Sequence, residues 1–121
     1  MTADAVVGGV IGALDAPEAL LIGLPDEHGR LRVAGRTVPL TLPARREIGA
    51  VLVPARQAHP WPERIPSSRL GQLPGDLVDY TQTEPLLVVE VDADVCFEHH
   101  RWRHPTRYRR VRSDLRPIDL T

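Results

Sequence analysis

Twelve prolines and nine glycines are spread through 121 residues, and this scatter limits the fold more than any other feature. Proline removes an amide donor and fixes φ, and glycine weakens a helix interior, so long helices have no room between them. Short elements joined by many turns remain, which excludes a helical bundle. The length fits one domain with a modest core. That core must be built from Val, Leu, Ile and Ala, because aromatic residues make up only 4% of the chain.

Read along the chain, Ala5 to Gly12 is an apolar strand kinked by Gly8, Gly9 and Gly12, as a sharply curved barrel strand requires. Ala19 to Leu24 is a second strand, Pro25 to Gly29 a turn, and Arg30 to Arg36 a third strand, with Arg30, Arg32 and Ala34 on one face and Leu31 and Val33 on the other. Thr41 caps a helix over roughly Leu42 to Val53, which places Ile48, Val51 and Leu52 on one face and turns Arg45, Arg46 and Glu47 outward. Pro54 to about Tyr80 reads as a long surface loop. Pro85 to Ala93 is the clearest strand, with Leu87, Val89, Val91 and Ala93 sharing a face, and a final strand spans roughly His104 to Arg112. Three strands, a helix, a loop and two strands predict a mainly β domain: a five-stranded OB-fold barrel with one helix between strands three and four. Its parts are residues 5–53 (strands one to three and the helix), 54–84 (the loop) and 85–117 (the last two strands). Other small β-domains, SH3-like barrels among them, fit the strand spacing nearly as well.

Charge is distributed unevenly. Seven of the fifteen arginines lie between Arg101 and Arg116, interleaved with Trp102 and Tyr108, and Asp114 is the sole acid in that interval. Guanidiniums beside aromatic faces suit a polyphosphate partner. If residues 107–112 are a regular strand, Arg107 and Arg109 share a face with Val111, and Tyr108, Arg110 and Arg112 share the other. On that reading Arg110 and Arg112 contact a nucleotide or phosphate, and Arg101, Arg103 and Arg107 neutralise a nucleic-acid backbone. The competing reading is a solvated face. Glu90, Asp92 and Asp94 alternate on the preceding strand and are expected to pair with these arginines, keeping part of the cluster from any ligand. Every basic side chain is arginine and no lysine is present, so the chain has no amine nucleophile.

The segments Gly29-Arg30-Leu31-Arg32-Val33-Ala34-Gly35-Arg36, Leu87-Val88-Val89-Glu90-Val91, and Arg103-His104-Pro105 followed by Arg112-Ser113-Asp114 together resemble the C-terminal OB domain of bacterial ATP-dependent DNA ligases. The last pair is similar to that family's motif VI ending. The resemblance runs from about Ala5 to Pro117. It implies a DNA-binding role on nicked duplex, with Arg30, Arg32, Arg101, Trp102, Arg103, Arg107 and Tyr108 toward DNA. It also implies a nucleotide-contacting role for Arg112 as the motif VI arginine, with Asp114 fixing the loop. ATP and Mg would serve the complete ligase, and the partner would be a nucleotidyltransferase domain carrying the lysine nucleophile of a Lys-x-Asp-Gly motif. This chain departs from the pattern in placing Leu115 where motif VI ends in lysine. It carries no nucleotidyltransferase motif, so no catalytic residue is assigned to it, and the expectation is an excised domain, a subunit of a split ligase, or a relic.

Two alternatives use the same residues. A free-standing single-strand binder would use Trp102 and Tyr108 as stacking platforms, and an interaction subunit would complete a separately encoded catalytic domain. Cys96 with His99, His100 and His104 does not match a closed zinc site, so no metal is assigned; a hairpin turn at His99-His100 and a hydrogen-bonded His104 are expected instead. Trp61, between Pro60 and Pro62, reads as a plug in the open end of the barrel or as a docking loop. One cysteine excludes an internal disulfide and fits a reducing, cytoplasmic setting. No apolar run reaches membrane-spanning length.

Overall fold

In the computed structural model, which describes residues 1–120, the first strand organises everything else. β1 (Thr2–Ala13) is twelve residues long, and one of its edges pairs antiparallel with β2 (Ala16–Pro25). Register shifts between Val7 and Gly9 and between Ile11 and Gly12 bend the pair, as bulges do in barrel strands. The curvature lets the other edge of β1 serve two partners. Thr2 to Val6 pair with β7 (Val88–Asp92), and Gly9 and Val10 pair with β6 (Thr81–Gln82). β3 (Leu31–Arg36) extends the sheet beyond β2, and β10 (Arg107–Val111) extends it beyond β7, giving the order β10-β7-β1-β2-β3.

The two outer strands then meet. Thr37 and Thr106 form a parallel bridge: Thr106 N–H donates to Arg36 O at 2.8 Å, and Val38 N–H donates to Thr106 O at 2.7 Å. Both threonines are buried, and their hydroxyls are satisfied, Thr37 Oγ1 by Leu20 N–H at 3.0 Å and Thr106 Oγ1 by Arg36 O at 3.1 Å. The result is the small OB-like β-barrel that the strand order predicts, with β6 as an added short strand and a single α-helix between β3 and β7. Inside it lie Ala5, Val7, Val10, Leu20, Ile22, Ala34, Val89 and Val91, closed at one end by Ile48. Leu87, Val89, Val91 and Ala93 all join this core, matching the alternation read from the sequence.

The helix, α1 (Leu42–Gly49), starts where expected, with Thr41 Oγ1 accepting from Ala44 N–H at 3.3 Å. It ends four residues short of Val53. Gly49 lies so close to the β1–β2 turn that a Cβ there would stand 2.0 Å from Asp15 O, and Pro54 disfavours helical geometry in the residue before it. Val51 is therefore 48% exposed instead of facing the core with Ile48.

The segment expected to be a loop is structured. β4 (Arg64–Pro66) and β5 (Leu77–Asp79) form a hairpin around a 3₁₀ turn (Ser67–Leu70). It lies across the outer face of the sheet, where Leu21, Val33, Trp61, Ile65 and Leu70 form a second cluster. Trp61 is thus buried, but outside the barrel rather than in its mouth. Its indole occupies a saddle made by Gly8 and Gly23, where added Cβ atoms would come within 2.3 and 2.6 Å of the ring. Trp61 Nε1–H donates to Leu31 O at 3.1 Å. His59 holds the approach: its Nδ1 accepts from Trp61 N–H at 3.1 Å while its Nε2 lies 3.0 Å from Thr83 O. These two contacts require the neutral Nε2–H tautomer, and burial lowers the His59 pKa accordingly. Among the described residues, no helix is long and apolar enough to cross a membrane.

Candidate functional site

β10 carries the densest part of the arginine segment, and a bulge reorders its faces. Arg107 pairs with Asp92 and Tyr108 with Val91, but Arg110 pairs with Glu90, so Arg109 is the extra residue. The regular alternation expected from the sequence therefore fails at Arg109. Tyr108 and Val111 now both pack on the core, and Arg109, Arg110 and Arg112 turn to the same carboxylate. Glu90 lies 3.7, 3.2 and 3.7 Å from these three guanidiniums, and its side chain is only 17% exposed. Asp92 takes Arg109 at 3.2 Å, and Asp4 takes Arg112 at 3.1 Å. The acids of β7 thus neutralise much of β10, and Asp94 continues the series by binding His104 Nδ1 at 2.9 Å.

Arg112 is the most constrained of the three. Its Nε and Nη2 donate to Asp114 Oδ1 and Oδ2 at 3.0 and 2.9 Å, a two-pronged fork across one intervening residue. This contact leads the causes that raise the Arg112 pKa and pulls the Asp114 carboxyl down to about 2. Tyr108 is half-buried, and its hydroxyl donates to Glu47 Oε1 at 2.9 Å across to α1. Burial first, and Glu47 second, raise its pKa.

Trp102 requires correction. It is 3% exposed and belongs to the barrel core, so it offers no face for a nucleobase and leaves the set of DNA-contacting candidates. The pattern that misled was its arginine neighbours. Trp102 lies in β9 (Arg101–Trp102), which pairs with β8 (Phe97–Glu98) in a tight hairpin, and alternation along so short a strand sends Trp102 inward and its neighbours outward. Phe97 packs edge-on against Trp102 with ring centroids 5.3 Å apart.

The remaining candidates are distributed over the surface. Arg107 is exposed on β10 and, among the described residues, forms no ion pair, and Arg103 lies 3.8 Å from Glu98. Arg30, in the β2–β3 turn, and Arg32, on β3, border a groove of about 1040 Å³ walled by Val6, Pro25, Leu31 and Pro117. Arg69 was not singled out from the sequence. It sits in the 3₁₀ turn of the folded-over segment, where its Nη2 donates to Val33 O at 2.8 Å. Only tertiary structure brings it beside β3 and β9, so no local pattern marks it. Among the described residues, no three His, Cys, Asp or Glu side chains gather as a metal site would require.

No family model matches the chain, and no curated protein sequence does. Solved structures do match. The ligase domain of M. tuberculosis LigD superposes with a TM-score of 0.72 at 24% identity, and a mycobacterial DNA ligase D complexed with ATP and MES with a TM-score of 0.70 at 25% identity. Each alignment covers 100% of this chain and 37% of the neighbour. The chain thus has a fold related to part of a DNA ligase's ligase domain and spans little more than a third of that domain's length.

Proposed function

We propose that this chain is the OB-like, DNA-binding part of an ATP-dependent DNA ligase, acting with a nucleotidyltransferase domain or subunit in cytoplasmic nick sealing and DNA repair. The observation that carries this reading is the end-to-end match to ligase-domain structures, joined to a basic complement made wholly of arginine. The division of labour follows from chemistry. Covalent nucleotidyl transfer needs an activated amine nucleophile, and a lysine-free chain supplies none. This chain's donors do not fit a resident ATP–Mg site either. Mg²⁺ takes carboxylate oxygens in near-octahedral geometry, whereas Asp4, Glu90, Asp92 and Asp114 are each spent on a guanidinium. ATP and Mg therefore belong to the catalytic domain. The contribution of this chain is to hold duplex DNA and, through the Arg112–Asp114 fork at the motif VI-like end, to present a fixed guanidinium to that domain.

Burial of Trp102 disfavours the stand-alone single-strand reader. Fluorescence anisotropy of the chain on nicked duplex, intact duplex and single strand, at low and moderate salt, tests the proposal. Duplex binding that weakens steeply with salt, and that falls on Arg107→Ala, is the expected result; each lost phosphate contact should flatten the log–log salt slope by about 0.9. Preference for single strand, or no binding at low salt, would overturn the DNA-binding part of the reading.

A further inference from the structure

The acids of β7 neutralise Arg109 and Arg110 of β10, but among the described residues a second basic group on the far side of the barrel has fewer carboxylate partners. Arg32 projects from β3, Arg69 from the 3₁₀ turn above it, and Arg101 from the start of β9. Two backbone carbonyls orient Arg69, Val33 O at 2.8 Å and, more weakly, His99 O at 3.5 Å. Its fork is thereby fixed between β3 and the tip of the β8–β9 hairpin. That tip is itself constrained: His99 and His100 take φ values of +55° and +62°, the left-handed pair that a two-residue hairpin turn demands and that non-glycine residues rarely adopt. His100 Nε2 lies 3.3 Å from Leu24 O and ties the tip to β2.

Among the described residues, no carboxylate forms an ion pair with Arg69 or Arg101. Of the acids nearby, Asp26 faces Arg32 at 3.5 Å through Oδ2, while its Oδ1 is occupied by the His28 and Arg30 amides at 2.8 and 3.0 Å, and Glu98, opposite Arg101 in the hairpin, lies 3.8 Å from Arg103. Partial burial and the fields of Arg32 and Arg101 all act to discharge Arg69. A fold that brings three guanidiniums together with only Arg32 facing a carboxylate, and fixes Arg69 with carbonyls, holds a site whose repulsion an oxyanion would relieve.

We propose that Arg32, Arg69 and Arg101 form one phosphate-binding site, with Arg69 as its fixed floor and Arg32 and Arg101 as its sides. A phosphodiester of a DNA backbone and the phosphate tail of a nucleotide share the required chemistry. We assign the backbone phosphate, and that source rests on the DNA-binding reading above.

Two arms separate the site from its source. In the first, arginine Nε–Hε resonances of the whole ¹⁵N-labelled chain are followed during titration with inorganic pyrophosphate. Arg69 and Arg101 should shift well beyond Arg56, an exposed arginine outside the group. Uniform shifts across all arginines, or none, overturn the site. In the second arm, nicked-duplex affinity is compared for wild type, Arg69→Gln, Arg101→Gln and Arg56→Gln. Arg101→Gln should weaken binding at least fivefold and flatten the log–log salt slope by about 0.9, with Arg56→Gln near wild type. Among the described residues, the Arg101 side chain donates no hydrogen bond, so its variant stays informative even if Arg69→Gln unfolds. DNA binding unaffected by Arg101→Gln removes the backbone assignment and leaves the DNA-binding reading intact. Pyrophosphate shifts at Arg69 and Arg101 without any DNA binding keep the site, transfer it to a nucleotide, and remove that reading.

Discussion

Gly8 offers a test of the packing on which the outer face of the barrel depends. A Cβ added at Gly8 meets Trp61 Cη2, Cζ3 and Cζ2 at 2.3, 2.4 and 2.8 Å, so its three nearest neighbours all belong to the indole. Gly8 is outside the left-handed region, and alanine can adopt its backbone. The two consequences of Gly8→Ala therefore have opposite signs. Overpacking costs about 2 kcal/mol, while the stiffer unfolded chain contributes about 0.5 kcal/mol of stability. In the wild-type background overpacking dominates. In a Trp61→Ala background the steric cost disappears and the substitution becomes stabilising. The coupling between the positions is then about 2 kcal/mol, within the range for residues in contact. Urea unfolding followed by far-ultraviolet circular dichroism measures each corner of the cycle, because Trp fluorescence changes with the substitution itself. At an m-value of about 2 kcal/mol/M, the net cost of about 1.5 kcal/mol should lower the wild-type midpoint by roughly 0.75 M. Equal effects in both backgrounds would mean that Trp61 is not what requires a glycine at this position.

Two other expectations follow from the helix end and the arginine fork. Gly49→Ala improves helix propensity by about 1 kcal/mol yet should destabilise the protein in urea titrations, because the new Cβ stands 2.0 Å from the Asp15 carbonyl and 3.2 Å from Ala16 N; a gain in stability would show that the β1–β2 turn moves aside freely. Asp114 falls from an ordinary 3.8 to about 2 in the folded protein, so its contribution to stability is fully present above pH 3.8 and is lost as pH falls through about 2. Asp114→Asn should flatten the Tm profile across that window, and a ¹³C titration of the Asp114 carboxyl should return toward 3.8 in Arg112→Gln.

The sequence conveyed the barrel because its signals were local and periodic. The glycine kinks of β1, the alternation from Leu87 to Ala93 and the Thr41 cap each depend on neighbours within a few residues. The misreadings share a different origin. The bulge at Arg109 cannot be seen in a strand read by itself, because it arises from pairing with β7, and it decides which arginines meet Glu90. Trp102 has the arginine neighbours of a surface aromatic, although its side chain is buried in the barrel core. The 54–84 segment lacks periodicity, yet Trp61, Ile65 and Leu70 find burial on a face that two glycines leave open. Arg69 acquires its meaning from that folding-over, which no spacing rule anticipates.

The threonine bridge that closes the barrel also sets the order in which the molecule can assemble. Thr106 and its Arg36 acceptor stand 70 positions apart. A chain emerging from the ribosome can form the β1–β2–β3 meander early, but it retains two open sheet edges until the last strand arrives. Closure across such a separation is slow, because the loop entropy must be lost before the bridge forms. Until then the nascent chain is exposed to edge-to-edge pairing with its own copies. A truncation that removes β10 would leave it permanently in that state.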